Sequence, residues 1–465
     1  MTKTSRDSQE QLSKRVPVLL FLSGIVVIYL VIAVFFAIKT PPWQVPDEPA
    51  HYHYIAQLAQ TGLIPMLQIG DWDSAYLEKI KAAKFAPSVI TDQFNLIRYE
   101  DHQPPLYYLL QAPIYLLTNG SLIAMRLFSA ILGACVVIVA FAVILTLFPA
   151  QPYLALGTAI FVALLPQHVA MLAGLENDSL AELLIGLTLW ACLLYLGNYP
   201  SSPVADKDNI ATKSFHPGWI GLLLGLALFT KVTAYLLVGI VGLALVLRTV
   251  RNRPSLSHFI RESLWIGVPA LFFGGIWWLH NIQMYGFPDF LGLGRHNLVV
   301  VGQLRMSDYI NQYGLSSVIS NGLQTTFHSF WGQFGWMGVL LPGWIYTVAL
   351  IITILAVVGT GIWLFRFRSA LSGSINAPRR NGVLLLAVLG LLAIAEIIYY
   401  NLSFVQFQGR YLYPGLIAIA FFFVVGAVGW VSLLRMRGAH WLILVMLPVF
   451  VLFDLYSIYL IMHQL

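Results

Sequence analysis

Two acids and two histidines fall within seven positions of one another, Asp47, Glu48, His51 and His53, in the stretch PPWQVPDEPAHYHYIAQ. Carboxylates and imidazoles set this close are the side chains of general acid–base chemistry, and either type can also ligate a divalent ion. Pro46 fixes the backbone before the acids and Pro49 suits a first helical turn, which predicts Asp47 near the N-cap of a helix carrying Tyr52, Ile55, Ala56 and Ala59. The same position suits a carboxylate that merely caps a surface helix, so its surroundings must decide between cap and base. His51 and His53 are two apart and point roughly 200° from each other on a helix. At most one of them can join a site with Glu48, His102 or Asp178.

The elements that position these residues are membrane helices. Of 465 residues, 58% are hydrophobic and 10% charged, with a mean hydropathy of +0.78. A soluble domain carries about 25% charged residues, so the composition excludes one and specifies an all-α polytopic membrane protein. Cys135 and Cys192 both lie in apolar runs, which argues against a disulfide framework or a thiolate metal site. The formal charge of +6 is dispersed between apolar spans rather than massed on one face. That distribution speaks for membrane topology and against nucleic-acid binding.

Residues 1–16 are polar and basic and read as a cytoplasmic tail; 17–37 then form an apolar span of about the ~20 residues a bilayer requires. No small-residue cleavage site follows, so the span reads as an uncleaved signal anchor. Residues 40–105 form a large first outer loop. It is expected to carry short interfacial helices, with Leu77, Ile80 and Ala83 facing inward. Further apolar runs at 122–148, 153–174, 179–197, 218–230, 232–248, 264–283, 339–365, 382–400, 411–433 and 441–461 bring the count to eleven.

Basic residues test this topology independently. Lys207, Lys213, Arg248, Arg251, Arg253, Arg261, Arg366, Arg368, Arg379, Arg380, Arg435 and Arg437 all fall on the side of the N-terminus. Asp47 and Leu465 are then extracytoplasmic. A second large outer segment, 287–334, is rich in Gly and polar residues and reads either as a mobile functional loop or as an interfacial helix with a connector.

The outer face also collects His102 before Pro104 and Pro105, Glu176, Asp178, Lys231 and Arg410. Lys231, between two short apolar runs, is either a site residue or a lysine that snorkels to the interface. Asp178 and Glu182 share a helix face, and Glu182, one turn deeper, needs a partner or a polar cavity. Acids with isolated cations at a membrane face suit a phosphate-bearing lipid: cations for the phosphate and a carboxylate base for an acceptor hydroxyl. A divalent metal held by His51, His53, His102, Glu48 and Asp178 is the alternative, although no compact ligand pair supports it. Glu396 and Asp454, acids within apolar spans, have no assignment.

The signal anchor, Pro46-Asp47-Glu48-Pro49 with His51, and His102-Gln103-Pro104-Pro105-Leu106-Tyr107-Tyr108 together resemble the GT-C superfamily of membrane glycosyltransferases. Glu176-Asn177-Asp178, Phe229-Thr230-Lys231, Phe330-Trp331-Gly332-Gln333-Phe334-Gly335-Trp336 and Gly409-Arg410-Tyr411-Leu412 extend the resemblance over most of the chain. It is similar to protein O-mannosyltransferases and the lipid A aminoarabinose transferase, and nearest in wording to a bacterial branch with Pro-Asp-Glu-Pro-x-His. Several relatives carry an additional soluble domain or extra spans after the position corresponding to the eleventh span here.

The resemblance implies a single membrane domain over 1–465, in a bacterial plasma membrane. Its activity would be transfer of a sugar from a polyprenyl-phosphate donor to an acceptor hydroxyl on a glycan, lipid or protein of the cell envelope. Asp47 would be the base and Glu48 its catalytic neighbour; His51, His102, Asp178 and Tyr411 would shape the substrate site. Lys231 and Arg410 would stabilise the departing phosphate. One displacement implies inversion; no cofactor is expected, with a divalent metal left as the alternative. Two other functions fit the same inventory: a lipid-linked glycan polymerase or ligase, and a flippase or transporter of a lipid-linked sugar. A transporter would gather ionisable groups near the midplane and show internal repeats.

Overall fold

The computed structural model describes residues 3–197, 215–368, 376–434, 438 and 441–465. Lys207, Lys213, Arg435 and Arg437 lie outside the described residues. In chain order the helices are α1 (Lys3–Lys39), α2 (Glu48–Thr61), α3 (Ser74–Ala82), α4 (Leu106–Leu117), α5 (Leu122–Leu147) and α6 (Pro152–Leu164). Then come α7 (Pro166–Leu172), α8 (Asp178–Leu196), α9 (Pro217–Leu228), α10 (Leu236–Asn252), α11 (Leu256–Tyr285) and α12 (Leu293–Val299). The last five are α13 (Met306–Trp331), α14 (Gly343–Phe367), α15 (Ala377–Asn401), α16 (Leu416–Leu433) and α17 (Trp441–Gln464).

Nine helices among the described residues are long and apolar enough to cross a membrane, and α6 with α7, bent by 65°, makes a tenth. The remaining apolar run of the sequence, 218–230, is α9, whose 12 residues rise only about 18 Å. The protein is therefore an all-α integral membrane protein whose helices match the eleven apolar runs, with one run too short to span alone.

Four of the arginines read as topology markers meet at one end of the bundle. Arg248 and Arg251 donate to the carbonyls of Tyr195 and Leu196 at the end of α8, Arg379 to Leu147 at the end of α5, and Arg366 to Ser432 near the end of α16. Cations at helix C-termini satisfy orphan carbonyls and oppose the negative end of the helix dipole. The starts of α5, α8 and α16, and the end of α15, lie at the other end. There Lys84 of the first outer loop donates to the Gln464 carbonyl at 2.6 Å, so the end of α17 and that loop share a face.

The first outer loop has its own small core, in which Tyr76, Leu77 and Ile80 of α3 join Phe85, Phe94, Ile97 and Tyr99 and meet Val300 and Phe404. Ala83 is the C-cap of α3 and only half-buried. The second outer segment is more regular than its Gly-rich composition suggests. It holds α12 and the 26-residue α13, which is kinked at Gly314 where φ is 78°. Glycine tolerates that non-helical conformation, which divides α13 into two helical segments.

Candidate active site

The turn after α1 aims the Asp-Glu pair in two directions. Trp43 (φ 69°) and Asp47 (φ 65°) both adopt the left-handed conformation, which aspartate tolerates better than a bulky tryptophan. Such a turn persists only where its surroundings over-determine it. Glu48 supplies much of that. Its Oε1 and Oε2 accept from Arg126 at 2.7 and 2.6 Å, and Oε2 also accepts from the Trp43 amide at 2.9 Å. Arg126 donates in turn to the carbonyls of Ala37 and Thr40 at 2.9 and 2.7 Å, while the Trp336 indole donates to the Trp43 carbonyl at 2.8 Å. Glu48 is wholly buried in this network and does not reach the cavity described next. Glu48, expected as the catalytic neighbour of Asp47, has both its oxygens committed to holding the turn.

Asp47 occupies the N-cap position of α2, yet its carboxylate makes no cap bond. Oδ1 accepts from the Tyr99 hydroxyl at 2.7 Å and Oδ2 accepts from Arg410. The other arm of Arg410 donates to Glu176 at 3.0 and 3.2 Å, and Lys231 pairs with Asp178 at 2.7 Å. Asp47, His51, His102, Asp178, Lys231, Arg410 and Tyr411 all line one cavity of about 310 Å³, joined by Glu100, Glu176, His296, Glu396 and Tyr400. Of the eight residues expected from the sequence, only Glu48 is missing from it.

Local chemistry explains how distant segments meet here. Gly409 begins a 3-10 turn (Gly409–Gly415) ahead of α16, and a Cβ there would lie 2.3 Å from the Phe330 nitrogen of α13. Only glycine allows that approach, which delivers Arg410 to Asp47. The Leu106 amide donates to the Phe229 carbonyl at 3.0 Å, tying the His-Gln-Pro-Pro segment to the segment that carries Lys231. At the α6–α7 bend, Pro166 lacks the amide that would bond the Val162 carbonyl. The His168 ring bonds that carbonyl at 2.7 Å and Glu182 at 2.7 Å, which gives Glu182 the partner its depth requires.

The acids of the outer loop are driven apart electrostatically. Burial pushes the Asp47 carboxyl up, but the Arg410 guanidinium and the Tyr99 hydroxyl together hold it below the usual aspartate range. Burial, then the Asp47 charge, pushes Glu100 up to about 7. Burial and Lys231 lower His51 to about 3, so its ring is neutral; its Nδ1 hydrogen-bonds the Tyr108 hydroxyl at 2.9 Å. Burial and His296 lower His102 well below the ordinary imidazole range. Asp47 is thus held ionised, whereas Glu100, like Asp101 beside it, is able to keep a proton, and a separation of this kind assigns base and acid in many enzymes.

His53 faces away from the cavity and bonds the Ile97 carbonyl at 2.9 Å. Among the described residues, no group of three or more His, Cys, Asp and Glu side chains is arranged to hold a metal ion. Tyr99, Glu100, Tyr108 and Tyr400 had no signal in the sequence beyond lying in flagged segments. His296 likewise had no signal beyond lying in the polar, Gly-rich segment 287–334. Glu396 enters the cavity, whereas Asp454 is wholly buried elsewhere, with no partner for either oxygen among the described residues.

Beside the polar cavity lies a larger apolar one of about 740 Å³, walled by α13 with Ile394, Ile397 and Ile398 of α15 and Leu412, Ile419 and Phe423. Ile397 lines both cavities, so the two are neighbours.

In fold the chain is similar to crystal structures of ArnT from Cupriavidus metallidurans. The apo structure matches with a TM-score of 0.53 over 97% of this chain and 77% of that one, at 14% identity. The structure bound to undecaprenyl phosphate matches with a TM-score of 0.51 over 96% and 77%, also at 14% identity. At this identity the likeness shows a shared fold. No protein of curated function matches the chain in sequence. Residues 90–420 match the model of the family described as predicted membrane protein (DUF2142), and the chain belongs to that family.

Proposed function

We propose that the protein transfers a sugar from a polyprenyl-phosphate donor to an acceptor hydroxyl, on the extracytoplasmic face and by a single inverting displacement. One observation carries the reading: an ionised Asp47 and two cations, Arg410 and Lys231, line a polar cavity that adjoins a 740 Å³ apolar one. A lipid-phosphate sugar has that division, with an apolar tail, an anion and a polyol. The fold match to a transferase structure holding undecaprenyl phosphate supports the same class of donor.

In the step proposed, the acceptor oxygen attacks the anomeric carbon as its proton passes to Asp47. The bond from that carbon to the phosphate oxygen breaks, and the polyprenyl phosphate leaves with the electron pair. The buried Nε of Arg410 has no partner among the described residues and is free to meet a phosphate oxygen. As phosphate draws Arg410 away from Asp47, the pull that depresses the carboxyl weakens and its proton affinity rises. The base is thereby strengthened when donor is present. His51, His102 and Tyr411 contact the sugar or phosphate, and the first loop with residues 287–334 receives the acceptor.

The test is reconstitution of the purified protein in lipid nanodiscs with undecaprenyl phosphates bearing single sugars and a mixed pool of envelope acceptors. Release of undecaprenyl phosphate that depends on Asp47 supports the proposal. Release that persists in Asp47→Asn refutes the assignment of the base.

A further inference from the structure

Glu396 stands near the end of α15, lines the polar cavity, and takes no part in the step above. Three other acids there are ion-paired: Asp47 and Glu176 with Arg410, and Asp178 with Lys231. By contrast, Oε2 of Glu396 is buried and has no hydrogen-bond partner among the described residues. A carboxyl oxygen within a membrane helix is costly to leave unsatisfied, and a bound ligand is one way to satisfy it.

Position narrows what that ligand group is. The next residue, Ile397, borders both the polar and the apolar cavity, so Glu396 sits where the tail site meets the headgroup site. The charged groups it faces are Lys231 and Asp178. A phosphate would settle on the Lys231 and Arg410 side, where the two cations of the cavity stand. What remains within reach of Glu396 is the group next to the phosphate.

We infer that Glu396 hydrogen-bonds a hydroxyl of the sugar carried on the lipid phosphate and is a specificity-determining residue of this cavity. The inference rests on the reading of the cavity as a lipid-phosphate sugar site. A site built to bond a hydroxyl discriminates strongly against a ligand that lacks one, because the polar group is then buried unpaired. Glu396 therefore favours the glycosylated lipid over the bare lipid phosphate, which also assists product release.

The probes are undecaprenyl phosphate and undecaprenyl phosphates carrying a hexose, a pentose or an N-acetylhexosamine, each titrated into the full-length protein in nanodiscs. Wild-type protein should bind at least one glycosylated lipid about tenfold more tightly than the bare lipid, the size of one hydrogen bond. Glu396→Leu should keep bare-lipid affinity and lose the preference; in turnover the loss should appear in KM for that donor. Glu396→Asp, which withdraws the carboxyl by one methylene, should lose most of the preference too and serves if the leucine variant does not fold. A preference retained in both variants overturns the inference, as does a wild-type protein that binds bare and glycosylated lipids equally. Failure of wild-type protein to bind any of the four lipids removes the cavity reading, and the inference with it.

Discussion

Arg410 donates to the carboxylate of Asp47 across 363 positions of sequence, joining the turn after α1 to the head of α16. The pair holds an acid ionised in a half-closed cavity and places the cation best suited to phosphate against it. Base and phosphate ligand are therefore not independent, and perturbing either should register in the other.

Asp47→Asn keeps the side chain's size and removes the proton acceptor. Turnover should fall by about 10²-fold or more, the range for loss of a general base, while donor binding and the melting temperature stay near wild type. Normal donor affinity with a collapsed kcat is the signature to measure. Near-normal turnover would transfer the role of base to another acid.

Glu48 and Arg126 should behave quite differently from Asp47. Both side chains are buried, with 0% and 2% exposure, and they pair at 2.6 Å. Glu48→Gln or Arg126→Met alone should destabilise the protein by about 3–5 kcal/mol, because each leaves a buried charge without its partner. The double variant should lose less than the sum of the two. Denaturation in detergent measures this, and additive losses would mean that the pair does not act as a unit.

Lys231→Met should raise KM for the donor. It also strands Asp178, so the variant Lys231→Met with Asp178→Asn is the informative control. Recovery of the melting temperature without recovery of KM assigns Lys231 to the phosphate. Recovery of both would make it a structural partner of Asp178.

Glu100 sets a pH dependence of stability. The folded chain keeps its proton up to about pH 7, whereas the unfolded chain releases it near the ordinary glutamate value of 4.5. Between those values the folded state binds the extra proton, so stability falls as pH rises through the window and levels off above it. Glu100→Gln should flatten the decline in melting temperature between pH 5 and pH 8. An unchanged decline would place the titrating group elsewhere.

Transfer should survive thorough chelation, and His53→Ala should reduce it less than His51→Ala, since His51 faces the cavity and His53 bonds the Ile97 carbonyl. Activity abolished by a chelator and restored by manganese or magnesium would recast Asp47 and Asp178 as metal ligands.

Much of this arrangement was legible in the chain because membrane helices announce themselves by apolar length and loops by their charge. Four of the arginines that mark topology do collect at one end, as with Arg248 against α8 and Arg379 against α5. The split between Asp47 and Glu48 was not legible. Adjacent residues look alike in sequence, and their separation depends on two left-handed turn residues and on Arg126, which reads as an isolated cation at a helix end. Ion pairing was hidden for a similar reason, since Lys231 and Asp178 lie on different helical segments and only packing brings them to 2.7 Å. For residues 287–334 composition left a mobile loop and an interfacial helix with a connector equally open, because glycine content does not show that Gly314 merely breaks α13 into two helical segments.

The central claim is tested most directly by following the anomeric bond. Purified protein in nanodiscs, given undecaprenyl phosphates bearing single sugars and hydroxyl-bearing acceptors, should release undecaprenyl phosphate in equal amount to glycoside formed. The new linkage should have inverted anomeric configuration, and Asp47→Asn should form none. Intact glycolipid moved across the bilayer without cleavage, or transfer only from diphosphate-linked glycans, would contradict the account.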